Sequence, residues 1–223
     1  MARQSGQPES AEGPGAAEQR REQMLRAALE VIVERGYADT RIADVAERVG
    51  SSPALVIYYF KTRDQLLTEA IGFSEDVWYA YGVKRLETIP TAAGQLTELI
   101  AMTCLPDTDP APRSEWLLWL DLWALSPRNA GVAAVRRKFD ERWRQTIRTI
   151  VVAGQDAGEF APVDAEDFAI TLGALLDGMA VQIALDDPSV GAAKAFELSM
   201  RFAAGQLGFT WAPRHRLTGA DTA

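Results

Sequence analysis

The side chains best suited to recognise another molecule lie in a short stretch around residue 55. Ser51 and Ser52 carry hydroxyl groups, and Tyr58 and Tyr59 carry phenol groups. Each of them can donate a hydrogen bond to a phosphate oxygen or to the edge of a base. The residue types alone leave open the alternative that Tyr58 and Tyr59 only pack against the protein. The chemistry favours contact with a nucleic acid.

The charge around these groups is positive, although the chain as a whole is acidic. The formal net charge is −8, the wrong sign for a protein that binds nucleic acid without specificity. From Arg48 to Arg63, however, there are three basic residues and no acidic one. The same stretch holds no Asn or Gln, while Ala54 and Leu55 offer apolar contacts to thymine methyl groups. We therefore expect DNA to be read through apolar and phosphate contacts and through its shape, with modest non-specific affinity.

Two short helices joined by a tight turn must position these groups. Apolar residues recur at helical spacing from Ile42 to Val49, and Gly50 supplies a residue that ends a helix at little cost. A serine cap followed by Pro53 at the first helical position predicts a second helix, which ends at Phe60. A helix of about two turns is not stable alone, so it must rest on a scaffold. A helix-turn-helix DNA-binding motif has this arrangement.

The whole chain is predicted to be all-α, with about nine helices and no convincing strand. Composition and periodicity divide it into a disordered tail, a three-helix DNA-binding domain, a helical-bundle regulatory and dimerisation domain and a frayed end, over residues 1–17, 18–72, 73–209 and 210–223. A long helix that begins at Arg63 links the two domains. The segment from Ser114 to Leu125 is apolar on nearly all sides, which predicts a central helix of the bundle.

Aromatic residues in the second domain form a candidate ligand site. Trp116, Trp119 and Trp123 recur at i, i+3 and i+7, so their indoles share one side of a helix. Further candidates lie on helices expected to pack nearby, namely Tyr81, Met102, Phe139 and Trp143. Such ring faces bind organic cations, although an aromatic stripe at helical spacing is more often ordinary core. Asp177, within an apolar helix, is a candidate ligand contact, dimer contact or buried polar partner.

The last two helices carry more apolar side chains than the rear face of one small domain needs. The candidate dimer contacts are Leu172, Leu176, Met179, Ile183, Phe196 and Phe202. Gly173, Ala174 and Gly178 allow a second helix to approach closely. Because one copy reads one half-site, a second copy must lie about 34–36 Å away. A two-fold four-helix bundle between two chains is therefore expected.

Groups that could perform catalysis are poorly represented. His215 is the only histidine, Cys104 is the only cysteine, and no glycine-rich phosphate loop follows a strand. We therefore expect no catalytic residue, metal ligand or cofactor. The alternatives to a DNA-binding regulator are a helical protein-interaction module and, least favoured, an enzyme. The single cysteine fits a reducing cytosol, and neither a secretory signal nor a membrane span is expected.

The sequence TRIADVAERVGSSPALVIYYFKTRDQLL at residues 40–67 resembles the N-terminal domain of TetR-type transcriptional regulators, over residues 20–71 in all. The second domain is similar to that of the subgroup typified by the choline-responsive regulator BetI, at residues 116–123, residues 158–160 and the run LLDGMAVQ at 175–182. The resemblance implies a homodimeric repressor that binds a palindromic operator in double-stranded DNA. It also implies release by a small-molecule effector, for which a cation fits the aromatic residues. The expected location is the bacterial cytoplasm, at the nucleoid when bound to DNA.

The resemblance also implies DNA contacts residue by residue. The family's phosphate-contacting threonine falls near Thr40 and Arg41, and its basic residue at the start of the fourth helix falls on Arg63, with Lys61 beside it. Its contacts in the reading helix fall on Ser52, Pro53, Ala54, Leu55, Tyr58 and Tyr59. The family usually has Tyr where this chain has Ile57, and polar residues or Gly are common at positions 54 and 55. These departures leave the operator sequence open.

Overall fold

The computed structural model describes residues 14–105 and 113–212, and within them the chain forms nine α-helices and no β-strand. The all-α prediction is confirmed. In chain order the helices are α1 (Pro14–Arg35), α2 (Ile42–Arg48), α3 (Pro53–Phe60), α4 (Arg63–Glu87), α5 (Ala92–Cys104), α6 (Arg113–Leu125), α7 (Ala130–Asp156), α8 (Ala165–Ala184) and α9 (Ala192–Leu207).

The helices group into two compact units, Met1–Ser74 and Glu75–Ala223. The boundary falls inside α4, close to the one expected after residue 72. Helix α4 is therefore the covalent connection between the units.

The ends of the chain differ in part from expectation. Helix α1 begins at Pro14, so residues 14–17, assigned above to a disordered tail, form its first turn. Residues 210–212 have no regular structure. The remainder of both expected tails, the loop at 106–112 and His215 lie outside the described residues.

The first unit is a small helical domain with its own core. Helix α1 buries one face at helical spacing, and α3 buries Val56 and Phe60, which are four residues apart. Tyr37, between α1 and α2, fills the same core with 4% of its surface exposed. Gly36 ends α1 with a φ of +81°, a conformation that favours glycine.

The second unit is built around α8, which contacts α5, α6, α7 and α9. Its buried residues include Phe168, Leu172, Leu176 and Ala180. The prediction that residues 114–125 form the central helix is wrong. Among the described side chains of α6 only Leu118 and Leu122 are buried, because one side of this apolar helix packs on α7 and α8 and the rest stays at the edge.

The turn after α7 explains why Gly, Glu and Phe occur together at residues 158–160. The carboxylate of Glu159 accepts hydrogen bonds from the backbone N–H groups of Ala92 (3.1 Å) and Ala93 (3.0 Å) and so satisfies the first turn of α5. The Phe160 ring packs directly on Gly154, where an added Cβ would lie 2.2 Å from a ring carbon. Residues that carried the resemblance therefore hold α5 against α7.

By length and composition alone, α8 could cross a membrane, and 33% of its apolar window is buried inside the chain. Such windows also occur in the core helices of proteins that never enter a bilayer. The inner side of α8 lies in the core described above. Its outer side stays accessible and carries apolar residues such as Ile170 and Ala174 together with Asp177.

Candidate DNA-reading surface and effector site

Local interactions fix the start of α3. Gly50 adopts a φ of +62°, which turns the chain after α2. The Ser52 hydroxyl then caps α3 by accepting a hydrogen bond from the Leu55 N–H at 3.2 Å, and Pro53 occupies the first turn. Buried Val56 and Phe60 hold the helix on the first unit's core. The predicted bounds of α3 and its predicted cap are confirmed.

The outward face of α3 is apolar and aromatic. Its exposed residues are Pro53, Ala54, Leu55, Ile57 and Tyr58. Tyr58 is 69% exposed, whereas Tyr59 is half-buried, with its ring centroid 6.3 Å from that of Phe60. Ile57, which was not among the predicted DNA contacts, is 45% exposed on this face. The face therefore presents methyl groups and one freely accessible phenol.

Lys61 follows α3 in an unusual conformation. Its φ is +60° and its ψ is −51°, and the Thr62 N–H donates to the Phe60 carbonyl across it at 2.6 Å. This is a γ-turn of the rare, strained type. The Lys61 ammonium folds back and donates to the Tyr58 carbonyl at 2.8 Å, 5.2 Å from the centroid of the Tyr58 ring. A cation is thereby held at the end of the reading helix.

Two of the residues predicted to contact DNA, Thr40 and Arg63, donate hydrogen bonds within the protein. The Thr40 side chain is fully buried, and its hydroxyl donates to the Gly36 carbonyl at 2.8 Å. The Arg63 guanidinium donates to the Tyr37 carbonyl, to Ala38 at 2.9 Å and to Thr40 at 2.6 Å. In this conformation the donors of Thr40 and Arg63 satisfy the loop between α1 and α2. Contact of either residue with DNA stays a prediction, and it would require these hydrogen bonds to change.

The basic window in the sequence is not a basic surface in three dimensions. The Arg48 guanidinium pairs with Glu30 at 3.0 Å and with Glu34 at 2.6 Å, and Arg63 pairs with Asp64 at 2.9 Å. The acids come from α1 and α4, which a count along the window cannot see. Within residues 14–74, the basic side chains that form no ion pair with another described residue are Arg20, Arg41 and Lys61.

In the second unit, six aromatic side chains from three helices form a connected group that we call the aromatic cluster. Its members are Trp78 and Tyr79 of α4, Trp119 and Trp123 of α6, and Phe139 and Trp143 of α7. Neighbouring ring centroids lie between 4.5 Å (Trp119 to Phe139) and 6.4 Å (Trp78 to Phe139). Tyr79 and Trp143 are buried, and the other rings are half-buried. Two rings of the cluster therefore lie in the interior, and the other four keep part of their surface accessible.

Three predicted members of the ligand site lie apart from these rings. Tyr81 is 56% exposed, and its hydroxyl accepts a hydrogen bond from Arg85. Trp116 is half-buried and has no ring contact with another described aromatic residue. Met102 packs on α4 at Gly82, with its methyl carbon 2.8 Å from the place of an added Cβ, one turn beyond Tyr79. Trp119, Trp123, Phe139 and Trp143 are brought together as proposed.

Trp78 and Tyr79 are the cluster members that sequence reasoning missed. The phase of α4 contains a signal that could have found Tyr79. From Ile71 onward, the buried residues of this helix fall at 71, 75, 79, 82 and 86, a regular stripe that includes Tyr79 and excludes Tyr81. Only the helical spacing counted from Ile71 distinguishes Tyr79, which lies on the buried side of the helix, from Tyr81, which does not.

Arg142 of α7 closes one side of the cluster. Its guanidinium carbon lies 4.0 Å from the centroid of the Tyr79 ring, and the same group pairs with Asp76 of α4. Glu75, also on α4, is only 8% exposed. Burial raises the pKa of Tyr79, Arg142 opposes that rise, and the charge of Glu75 adds to it. The phenol of Tyr79 is therefore neutral, with a guanidinium over its ring and the Glu75 carboxylate near enough to act on its pKa.

Asp177 lies near charged groups of α7. Burial raises its pKa to about 6, with the Asp140 carboxylate adding to the rise and Arg136 opposing it. Asp140 itself pairs with Arg136 at 2.8 Å. Asp177 keeps accessible surface on the outer side of α8.

The outer side of α8 differs from the predicted dimer surface. Leu172 and Leu176 are buried in the core of a single chain, at 0% and 1% exposure, so their assignment to a dimer contact is wrong. Met179, Ile183, Phe196 and Phe202 are half-buried and pack beside the same core. The residues that α8 leaves accessible at helical spacing are Ile170, Ala174, Gly178, Val181 and Leu185. Leu172 and Leu176, which are four residues apart, face inward, and Ala174 between them faces outward.

Two family models match the chain. Residues 24–70 match the model described as bacterial regulatory proteins of the tetR family, and residues 94–208 match the model of the BetI-type transcriptional repressor C-terminal domain.

Among curated proteins, the transcriptional regulator BetI of Stenotrophomonas maltophilia is 29% identical over 124 residues, 55% of this chain and 62% of that protein. The match thus spans less than two thirds of this relative. BetI of Escherichia coli is 24% identical over 183 residues, which cover 82% of this chain and 91% of that protein.

Solved structures show the same architecture. A transcriptional regulator from Saccharomonospora viridis in complex with choline superposes with a TM-score of 0.78 and 28% identity, covering 85% of this chain and 98% of that one. A TetR-family regulator from Rhodococcus sp. gives a TM-score of 0.74 and 26% identity, covering 85% and 99% of the two chains.

Proposed function

Since the chain belongs to the TetR family of bacterial regulatory proteins and carries a BetI-type C-terminal domain, we propose that a small organic cation bound at the aromatic cluster releases it from its operator. The protein is a ligand-responsive, DNA-binding transcriptional regulator and not an enzyme. Regulators of this family bind operator DNA as homodimers and respond to small molecules.

DNA contact is assigned to the accessible groups of the first unit. The apolar face of α3 enters the major groove, where Ala54, Leu55 and Ile57 contact thymine methyl groups. Tyr58 and the cap at Ser51 and Ser52 contact phosphates. Further contacts come from Pro53, Tyr59, Arg41 and Lys61. Few direct hydrogen bonds to bases are available, so DNA shape contributes to specificity.

The effector is assigned to the aromatic cluster. The observation that carries this assignment is the meeting of six aromatic rings from α4, α6 and α7, several with accessible faces. Ring faces attract quaternary ammonium groups through their quadrupoles. The neighbour from Saccharomonospora viridis was solved with choline, which is a cation of this class. A quaternary ammonium compound such as choline is therefore the proposed effector.

Release is proposed to act through α4. This helix contributes Trp78 and Tyr79 to the cluster and continues back to Arg63 in the first unit. An effector that repacks the cluster shifts α4, so the two readers of a dimer lose the spacing that a palindrome requires. The effector must favour the released state by several kcal/mol for a decisive switch.

The dimer is proposed to form through the outer sides of α8 and α9. On α8 the accessible stripe from Ile170 to Leu185 is apolar, and Ala174 and Gly178 permit close approach of a second helix. Half-buried Met179, Ile183, Phe196 and Phe202 would border this surface. The two copies would form a four-helix bundle.

TetR-type regulators act in the bacterial cytoplasm. We propose that this one is associated with the nucleoid while it holds its operator.

A two-step experiment tests the effector class. Operator DNA is first selected from random sequences with the purified protein, and the binding of choline is then measured by calorimetry. The matched control ligand is the neutral alcohol in which carbon replaces the ammonium nitrogen, because it has the shape of choline without the charge. Choline should bind at least about tenfold more tightly than the neutral alcohol. Equal affinities for choline and the neutral alcohol would rule out a cation site at the rings.

A further inference from the structure

Arg142 occupies the position on Tyr79 that a cationic ligand would take. Its guanidinium carbon lies 4.0 Å from the ring centroid, well within the distance over which a cation is attracted to an aromatic face. The other ring neighbours of Tyr79 are Trp78, at 5.4 Å in an edge-to-face arrangement, and Phe139, at 5.5 Å. Within the cluster, Tyr79 thus already carries a cation supplied by the protein.

The same arginine also connects two helices. Asp76 and Tyr79 are three residues apart on α4 and so share one side of that helix. Arg142 of α7 contacts both, through an ion pair and through the ring face. Buried Glu75 places a further carboxylate beside Tyr79. An organic cation that binds here would therefore enter an acidic, aromatic environment in which Arg142 already occupies the face of Tyr79.

We propose that Arg142 is an internal competitor of the effector: it holds the face of Tyr79 in the ligand-free protein, and a bound organic cation displaces it from Tyr79 and Asp76. This inference rests on the proposed function, namely that the aromatic cluster binds an organic cation. Arg142 then sets the effector concentration needed for release. Its displacement also removes one of the links between α7 and α4, the helix that continues into the DNA-reading unit.

The consequence is opposite to that of an ordinary binding or structural residue. Removing a residue that contacts the effector weakens binding, and removing one that only supports the fold leaves binding equal or weaker. Removing a competitor strengthens binding, because the ligand no longer has to displace it. The attraction between a cation and a ring face is strong enough to change the affinity by about two- to thirtyfold.

The test compares Arg142→Met with Arg137→Met, using choline as the probe in calorimetry. Arg137 is an exposed residue of the same helix, so its replacement makes the same change in charge away from the cluster. Arg142→Met should bind choline about two- to thirtyfold more tightly than the wild type and release operator at a correspondingly lower choline concentration. Arg137→Met should match the wild type.

Asp76→Asn provides a second variant at an exposed position, in case Arg142→Met does not fold. This variant keeps Arg142 but removes the ion pair that holds it at Asp76. It should therefore also tighten choline binding, by a smaller factor than Arg142→Met. Unchanged or weaker choline affinity in both variants, with normal binding by the wild type, overturns the competitor role and leaves the effector class intact. Absence of choline binding in the wild type and in both variants overturns the effector class as well. Choline binding by Arg142→Met but not by the wild type would also support the competitor role, because Arg142 would then block the site completely.

Discussion

Lys61 and Arg63 are basic residues only two positions apart, yet the structure gives them different roles. The Arg63 guanidinium is used up by the carbonyls of Tyr37, Ala38 and Thr40, whereas the Lys61 ammonium stays at the exposed end of α3. Lys61 also adopts a left-handed backbone that a side chain rarely occupies. Strained backbone conformations cluster at binding sites, which agrees with a role of Lys61 in contacting DNA.

Replacement of Lys61 by Gly should separate stability from DNA binding. Glycine relieves the left-handed strain, so the free energy of unfolding should rise by about 1 kcal/mol in urea titrations. Operator affinity should fall, and the slope of log affinity against log salt should decrease by about 1, because one phosphate contact is lost. An unchanged salt slope would show that Lys61 does not contact the DNA backbone.

Asp177 should make stability depend on pH in a defined direction. Its pKa of about 6 in the folded chain lies above the usual carboxyl value near 4. The protonated form is therefore favoured by folding, and its stabilising contribution is complete below about pH 4 and is lost as the pH rises through 6.

Asp177→Asn imitates the protonated carboxyl. The melting temperature of this variant should equal that of the wild type near pH 4 and exceed it at pH 7.5, because the wild-type carboxylate is then charged in a partly desolvated position beside Asp140. A difference that stays constant between these two pH values would contradict the account.

The pair Tyr79 and Tyr81 shows what residue types alone could not decide. Both tyrosines lie in a helix that was correctly predicted, but only one faces the cluster. The choice depends on helical phase over more than two turns and on which neighbouring helix α4 packs against. The same limit applies to Leu172 and Leu176, since surplus apolar residues indicate burial without telling whether their own chain or a partner buries them.

The ends of the helices could be predicted from the sequence, whereas the contacts between helices could not. Capping and breaking residues such as Gly36, Gly50 and Ser52 act locally, so they place helix ends from sequence alone. Contacts between elements are not local. In the basic window from Arg48 to Arg63, Arg48 forms ion pairs with Glu30 and Glu34 of α1, and Arg63 forms one with Asp64 of α4. The positive charge counted along the window is therefore balanced by residues outside it.

The loop between α1 and α2 depends on Arg63 of α4. Arg63→Ala should lower the free energy of unfolding by about 2 kcal/mol in urea titrations, because three backbone carbonyls lose a charged donor. Arg63→Lys should restore only part of this loss, since an ammonium cannot reproduce the planar fork of a guanidinium. For the folded variants the salt slope of operator binding should remain that of the wild type. A slope smaller by about 1 would instead identify Arg63 as a phosphate contact.

At the scale of the whole molecule, the accessible stripe of α8 is expected to join two chains. Gly178 has no atom within 4 Å of an added Cβ in the single chain, so a larger side chain fits there. Gly178→Arg should therefore leave the chain folded but turn the dimer into a monomer in light scattering at micromolar concentration. Operator affinity should fall with it, because the two half-sites are no longer read together.

The control for this change is Ala134→Arg, at an exposed position of α7. It adds the same side chain and should leave the dimer intact. A Gly178→Arg protein that remains dimeric would place the interface elsewhere.

An organic cation at the aromatic cluster is proposed to release DNA from α3 of the same molecule. The decisive experiment measures the operator affinity with and without saturating choline, and the choline affinity with and without saturating operator. Because coupling is reciprocal, choline should weaken operator binding by some factor, expected to be at least about tenfold, and operator should weaken choline binding by the same factor. An operator affinity that stays unchanged while choline is demonstrably bound would contradict the account.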